Sequence, residues 1–204
     1  MKNTRILFFF ACILVFGAAQ AQQGETKFGI SYNVALPTGA FKNVISNTSF
    51  SGFNASILHG VSDNLSVGFV TGFQDFYQKN ARQTYHLTDG SDISAVVTNT
   101  VQTIPLLADV KYNFNPASTI QPYAAIGVGG NMVVYNTLYG EFGNQQSKFG
   151  FAARPELGLM IPFKNRASGF EIGASYNIMP FKADGYKNLN SVSIHAGLTV
   201  PLRK

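Results

Sequence analysis

Apolar and polar residues alternate along much of this chain, most clearly over residues 103–134. Between residues 104 and 114 every second residue is apolar, whereas Asp109 and Lys111 belong to the opposite set. A second alternating run, over residues 122–134, follows a short Asn-Pro turn. A period of two residues indicates β-strands whose two faces meet different environments. The stretch therefore predicts two long antiparallel strands joined by a tight turn.

The same alternation recurs along the rest of the chain. It predicts eight strands, at residues 28–36, 50–59, 65–77, 103–114, 122–134, 149–163, 169–179 and 192–202. Long polar connections at 37–49, 78–98, 135–148 and 180–190 alternate with short turns. An even number of strands, with short turns at one end and long loops at the other, is typical of bacterial outer-membrane barrels.

The residues on the polar face indicate which face is outside. A soluble barrel of the lipocalin kind would turn this face to water and need Lys, Glu, Arg and Thr there. The positions hold mostly Gly, Ser, Asn, Ala and Gln, and small side chains suit the interior of an eight-stranded barrel. Charged residues make up 12% of the chain, against roughly 25% in ordinary soluble domains. The sequence therefore predicts an all-β fold, an eight-stranded antiparallel up-and-down transmembrane β-barrel with its apolar face in lipid.

Aromatic residues near the predicted strand ends are consistent with the two interfacial girdles of a membrane barrel. At the end with short turns these are Phe28, Tyr112, Phe114, Phe163 and Phe170. At the end with long loops they are Phe73, Tyr77, Tyr135, Phe149 and Phe181. We expect the first set at the periplasmic rim and the second at the outer rim.

The N-terminus predicts export. Lys2 and Arg5 precede an apolar run that ends in Ala19-Gln20-Ala21, a pattern typical of a cleaved secretory signal peptide. We expect residues 1–21 to be the signal peptide, residues 22–204 to be the barrel domain, and the cell outer membrane to be its location. A lipoprotein acylated at Cys12, the single cysteine of the chain, fits poorly because the apolar run continues past it. Without other cysteines, stability must come from strand pairing and packing.

The predicted inward face carries a small set of ionisable residues: Asp109, Lys111, Arg154, Glu156, Glu171 and His195. Isolated charges in a narrow lumen are costly, so these groups must pair or be hydrated. We predict a structural charge network in which Arg154 bridges Glu156, Glu171 or Asp109. The net charge of +5 is not gathered into a basic stripe, so no nucleic acid partner is expected.

No catalytic or cofactor signature stands out. His195 and Ser193 share a face, but two residues on one strand do not make a nucleophile and base without geometry and an orienting group. No metal-ligand spacing appears, and Gly127-x-Gly129-Gly130 lies within a strand without the helix that a phosphate-binding loop needs. We therefore expect no enzyme activity, cofactor or metal. The loop at 78–98, with Tyr85, His86, Asp89 and Asp92, is long enough to bind a partner.

Several short motifs resemble those of a known family. They are FGISY at 28–32 followed by PTG at 37–39, IPLL at 104–107 ending in YNF at 112–114, and QPYA at 121–124 leading to GVG at 127–129. On these, the chain resembles the outer-membrane β-barrel family common in Bacteroidetes, which includes PorT-like proteins. The resemblance covers essentially the whole mature chain. It implies a fold and a location and, for PorT-like members, an accessory role in protein secretion, but no activity.

The expected function is that of a non-enzymatic outer-membrane barrel with a filled lumen. Its partners would be outer-membrane lipid, the barrel-insertion machinery and a surface or secretion partner bound by the external loops. A porin is not expected, since eight strands leave no wide channel. Three alternatives stay open at this point: a PorT-like accessory of protein secretion, a lipid-modifying outer-membrane enzyme using His195 and Ser193, and a soluble periplasmic carrier.

Overall fold

The computed structural model describes residues 24–86, 92–139, 142–164, 168–183 and 186–202. The predicted signal peptide and Asp89 lie outside these ranges. The strands are β1 (Thr26–Pro37), β2 (Ser51–Gly60), β3 (Leu65–Lys79), β4 (Gln83–His86), β5 (Asp92–Ala95), β6 (Val97–Asn113), β7 (Gln121–Tyr139), β8 (Phe142–Pro162), β9 (Gly169–Asn177), β10 (Pro180–Ala183), β11 (Tyr186–Asn188) and β12 (Ser191–Pro201). A short 3-10 helix spans Phe41–Asn43. No helix in the described ranges has the length and hydropathy to cross a bilayer.

Eight of these strands form a closed antiparallel barrel in the order β1-β12-β9-β8-β7-β6-β3-β2. Closure occurs at β1, where Gly29 pairs with Ser56 of β2 on one side and with Thr199 of β12 on the other. The remaining strands form two separate hairpins, β4–β5 and β10–β11. The predicted all-β, eight-stranded antiparallel barrel is confirmed, and each predicted strand corresponds to one barrel strand.

The apolar face of the barrel points outward, as the sequence predicted. Leu106 is 61% exposed and Leu157 is 66% exposed, and their alternating neighbours are apolar and exposed in the same way. In β6, Thr103, Asp109 and Lys111 point inward and are buried. This inside-out arrangement is what a barrel surrounded by hydrocarbon requires, because apolar surface on the outside replaces the polar surface of a soluble protein.

The two ends of the barrel differ. We call the end with the connections 61–64, 114–120 and 163–168 the turn end, and the end with the connections 38–50, 80–96, 140–141 and 178–190 the loop end. The prediction of a long loop at 135–148 is wrong, because β7 continues to Tyr139 and pairs there with Phe142 of β8. The predicted loops at 78–98 and 180–190 are also largely strand, and they contain the β4–β5 and β10–β11 hairpins.

Four strands extend beyond the rest at the loop end. Residues 76–79 of β3, 97–101 of β6, 135–139 of β7 and 142–151 of β8 continue past the ends of β2 and β9. We call this part the raised sheet. Its polar residues resemble a loop in the sequence, because once a strand leaves the apolar layer both of its faces can be polar while the backbone ladder continues.

An apolar plug closes the loop end of the lumen. It consists of segment 38–50 and the β10–β11 hairpin, which contact each other where the ring centroid of Phe41 lies 6.4 Å from that of Tyr186. Phe41 is fully buried, with its ring centroid 4.9 Å from that of Phe76. Phe181 packs edge-on against Tyr135, with 5.7 Å between ring centroids. The sequence predicted a lumen filled by small polar side chains and did not anticipate this apolar layer.

The plug also changes the assignment of two aromatic residues. Tyr135 and Phe181, predicted at the outer rim, are 3% and 6% exposed and lie inside the mouth of the barrel, so this prediction is wrong. Tyr135 is one of the alternate residues of β7 whose side chains point into the barrel. Phe181 lies in the mouth of the barrel because the β10–β11 hairpin folds into it. Burial, reinforced by Tyr135, raises the pKa of the neighbouring Tyr186 to about 12. The raised pKa keeps the Tyr186 hydroxyl protonated at pH values where an exposed tyrosine begins to ionise.

Phe41→Ala tests the plug. The change should lower the free energy of unfolding in detergent by about 3 kcal/mol, because a buried phenylalanine ring is lost and a cavity remains. Chemical denaturation followed by circular dichroism measures the change. Lys42→Ala, at the exposed neighbouring position, is the matched control and should have little effect. Equal stability of the two variants would contradict the plug.

Candidate functional site

Six predicted residues come together inside the turn-end half of the lumen, in a group that we call the lumen cluster. Asp109 and Lys111 come from β6, Arg154 and Glu156 from β8, Glu171 from β9 and His195 from β12. Four of the six, Asp109, Lys111, Arg154 and His195, are no more than 7% exposed. The strand register brings them together, since Gly127 of β7 lies opposite Asp109 on one side and Arg154 on the other.

Two ion pairs neutralise the two glutamates of the cluster. Lys111 Nζ lies 2.5 Å from Glu171 Oε2, and Arg154 Nε lies 3.6 Å from Glu156 Oε2. Of the three carboxylates predicted as partners of Arg154, Glu156 forms an ion pair with it. Arg154 also donates from Nη1 to Asn54 Oδ1 of β2 at 3.4 Å. Pairing of this kind offsets the large cost of removing each charge from water.

Tyr123 of β7 lies at the centre of the cluster, and its role was missed from the sequence. Its hydroxyl lies 3.0 Å from Glu156 Oε1 and 3.0 Å from Glu171 Oε1, and 3.3 Å from His195 Nε2. Lys111 Nζ lies 3.7 Å from the centroid of its ring, a cation–π contact. The available signal was a large aromatic residue at an inward position of β7 that is followed on the same face by Ala125, Gly127 and Gly129.

Glycine makes room for this tyrosine. A Cβ atom on Gly173 would lie 2.8 Å from the Tyr123 hydroxyl and 2.7 Å from His195 Cε1. A Cβ on Gly158 would approach the same hydroxyl to 2.5 Å. The glycines on the inward face therefore permit a close approach between strands and the central ring, which is the role that sequence reasoning assigned to small residues in general.

The cluster connects strands across the lumen. Through Tyr123, Arg154 and Lys111 it links side chains of β2, β6, β7, β8, β9 and β12. A polar layer lies next to it, where Asn33 Nδ2 donates to Gln74 Oε1 at 2.7 Å and Gln74 Nε2 donates to Ser49 Oγ at 2.6 Å. Two small cavities, of about 40 and 20 Å³, border Arg154 and Asn54. They are large enough for a few water molecules.

Three of these residues could in principle bind a metal. Ligand atoms of Glu156, Glu171 and His195 lie within 4.8 Å of one another, although they come from three strands and show no recognisable spacing in the sequence. The Tyr123 hydroxyl contacts all three side chains, and Lys111 and Arg154 pair with the two carboxylates. The ligand atoms are therefore engaged by the protein's own hydrogen bonds and ion pairs.

Ser193 and His195 have different partners. Ser193 Oγ accepts a hydrogen bond of 2.7 Å from Asn177 Nδ2, whereas His195 Nε2 faces Tyr123 and Glu156. Among the described residues no hydrogen bond joins this serine to this histidine. In the predicted loop 78–98, Tyr85 and His86 belong to β4 and Asp92 to β5, where His86 pairs with Asp92.

Comparison with known proteins gives a family and a fold. Residues 8–199 match the family described as Outer membrane protein beta-barrel domain. Neisserial surface protein A is similar with a TM-score of 0.57 at 16% identity, over 89% of this chain and 98% of that one. Ail of Yersinia pestis gives a TM-score of 0.48 at 13% identity, over 88% and 97% of the two chains. Outer membrane protein W of E. coli gives 0.46 at 13% identity, over 89% and 100%. No curated protein sequence matches the chain.

Arg154→Met tests the lumen cluster. The change removes the cation beside Glu156 and should destabilise the barrel by about 3 kcal/mol, because it leaves a buried carboxylate without its partner. The temperature at which the folded band disappears on unboiled gels, together with denaturant unfolding, measures the loss. Lys27→Met breaks the exposed pair with Glu25, 3.4 Å apart, and should cost less than about 1 kcal/mol. Unchanged stability of Arg154→Met would contradict the predicted charge network.

Proposed function

The chain belongs to the outer membrane protein beta-barrel domain family, and from this premise we propose that it is a non-enzymatic outer-membrane protein that binds a partner at its loop end. The observation that carries the proposal is the combination of an apolar outer wall with a blocked lumen. The wall offers lipid a continuous hydrocarbon-like surface, while the lumen cluster and the plug fill the interior. The loop end is then the part of the molecule that presents polar groups to a partner.

The outer wall supports the membrane location that the family indicates. Large apolar side chains such as Phe69, Leu106 and Phe151 are 61%, 61% and 52% exposed. Soluble monomers rarely expose contiguous apolar surface of this extent. Closure of the sheet supports the same conclusion, since an open edge in hydrocarbon would leave backbone donors and acceptors unpaired.

The orientation follows from the same features. Bacterial barrels place short turns in the periplasm and longer loops outside, so the turn end would face the periplasm and the plug and raised sheet the exterior. Export by the predicted signal peptide, with cleavage after Ala21, and insertion by the barrel-insertion machinery would deliver the chain there. Mature protein should then begin at Gln22.

The interior supports a binding role over transport or catalysis. Arg154, Tyr123 and Lys111 occupy the turn-end half of the lumen, and the apolar plug occupies the loop end. A lipid-modifying activity would need Ser193 as nucleophile, but this residue is 1% exposed and its hydroxyl accepts a hydrogen bond from Asn177. The filled lumen provides no path for a transported substrate, and the burial of Ser193 keeps a lipid substrate away from its hydroxyl.

An accessory role in protein secretion is the second candidate. It rests on the resemblance of the short motifs to those of PorT-like proteins, and the loop-end surface would then contact a secretion component. A deletion strain with normal secretion would count against this role and would leave a general surface-binding role standing.

Outer-membrane fractionation with heat-dependent gel mobility tests the proposal. The protein should remain with the outer membrane after high-salt and carbonate washes, and its band should shift on boiling, because a closed barrel resists detergent unfolding. Intact-mass analysis of the purified protein should give a chain that begins at Gln22. Release without detergent, together with the absence of a heat shift, would favour the soluble carrier instead.

A further inference from the structure

The raised sheet has two lateral edges, and the protein covers one of them. Along β3, Asn47 Nδ2 donates to Tyr77 O at 3.2 Å, and Ser49 Oγ donates to Asp75 O. The side-chain oxygen of Gln78 accepts from Ser46 N at 3.2 Å and from Asn47 N at 3.3 Å. Segment 38–50 therefore caps the β3 edge, which is a common way to prevent further strand pairing.

Along the opposite edge, residues 145–149 of β8 have no such cover among the described residues, whereas Pro180 at the start of β10 lies beside Gly150. β9 pairs with β8 over residues 156–162, and one more bridge joins Ala153 to Ile178. Continued in that register, the next pair would place Pro180 opposite Phe151. Proline has no N–H to donate, and here the chain leaves the wall to form β10 and enter the plug. The ladder therefore stops while β8 continues to Phe142.

The direction of the hydrogen bonds shows which groups are left open. Ala153 N donates to Ile178 O at 3.0 Å, and Ile178 N donates to Ala153 O at 2.8 Å. Alternate residues of a strand direct their N–H and C=O to the same side, so Gln145, Ser147, Phe149 and Phe151 direct theirs to the open side. No backbone hydrogen bond on that side joins these four residues to the rest of the described chain.

The open edge lies just above the apolar wall. Phe149, 78% exposed, is the last apolar residue on the outer face of β8, and the next outward residues, Ser147 and Gln145, are polar and exposed. An unpaired edge inside hydrocarbon would cost several kcal/mol per group. Beside Ser147 and Gln145 the edge lies outside the apolar layer, so water can hydrogen-bond to its unpaired backbone groups. A partner polypeptide can reach the same groups.

We propose that the β8 edge from Gln145 to Phe149 binds an extended strand of a partner polypeptide. The inference rests on the proposed function, in which the loop end is the binding surface, and it specifies the class of partner. An evenly spaced row of backbone donors and acceptors is recognised by another extended backbone. The partner would place an apolar or aromatic residue beside Phe149 on the outer face, where cross-strand contacts stabilise pairing. Beside exposed Lys148, on the other face, it would place a polar or acidic residue.

Photo-crosslinking from the edge in living cells of the native host tests this proposal. The probe is p-benzoylphenylalanine at Ser147. It should give an adduct with a partner polypeptide, and mapping of the adduct should place the crosslink in an extended segment. In the same background, Phe149→Pro should lower the yield about tenfold, because it removes a backbone donor and leaves a partner carbonyl unpaired. Proline is tolerated on an edge whose N–H faces solvent, so the barrel itself should fold.

Phe149→Ala is the matched control. It removes the ring and keeps the N–H, so its adduct yield should stay well above that of Phe149→Pro. The same probe at Tyr77, on the capped β3 edge, should give no adduct that depends on Phe149. An adduct insensitive to Phe149→Pro, an adduct with the mass of two copies of this chain, or the absence of an adduct would overturn the proposal. The heat shift and fractionation of each variant show whether it is folded in the outer membrane. A variant that passes both tests and fails the crosslinking test contradicts strand binding and leaves the membrane assignment intact.

Discussion

Backbone pairing in the absence of water is the constraint on which the rest of this structure depends. Every N–H and C=O within a hydrocarbon layer must be satisfied by the protein, and a sheet achieves this when its first and last strands meet. Pairing of β1 with both β2 and β12 closes the barrel. Where the wall leaves that layer the constraint is relaxed, so β9 can end at Asn177 while β8 continues with one edge unpaired.

Closure with eight strands fixes a narrow lumen, and the narrow lumen explains the chemistry inside it. Side chains must fill the space, and the ionisable ones must find partners within a few ångströms. Lys111 with Glu171 and Arg154 with Glu156 meet this requirement, and the Tyr123 hydroxyl joins both pairs. At the loop end, where the connections between strands are long, apolar residues of those connections close the lumen. The interior is therefore a core, and the proposed function assigns interaction with other molecules to the surface of the loop end.

The sequence predicted those parts of the structure that depend on the alternation of apolar and polar residues along the strands. Period-two patterns predicted the eight strands, the inward position of Asp109 and Lys111, and the outward position of residues such as Leu106. Features that depend on distant segments were missed. Nothing local marks Phe181 as folding into the mouth, and the polar residues of 135–148 resemble a loop because the environment, not the backbone, changes there. Tyr123 had the predicted direction, but its contacts with four other strands arise from register and closure.

The apolar face of the barrel is expected to meet lipid, and the polar face is not. Because the chain has no tryptophan, a single introduced one reports its own surroundings. Leu159 and Met160 are adjacent in β8, but the first is 40% exposed on the wall and the second is 6% exposed in the lumen. In vesicles containing brominated lipid, fluorescence of Leu159→Trp should be strongly quenched and that of Met160→Trp should be largely retained. Equal quenching of the two, or quenching of Leu159→Trp by aqueous iodide instead, would contradict this assignment of the two faces.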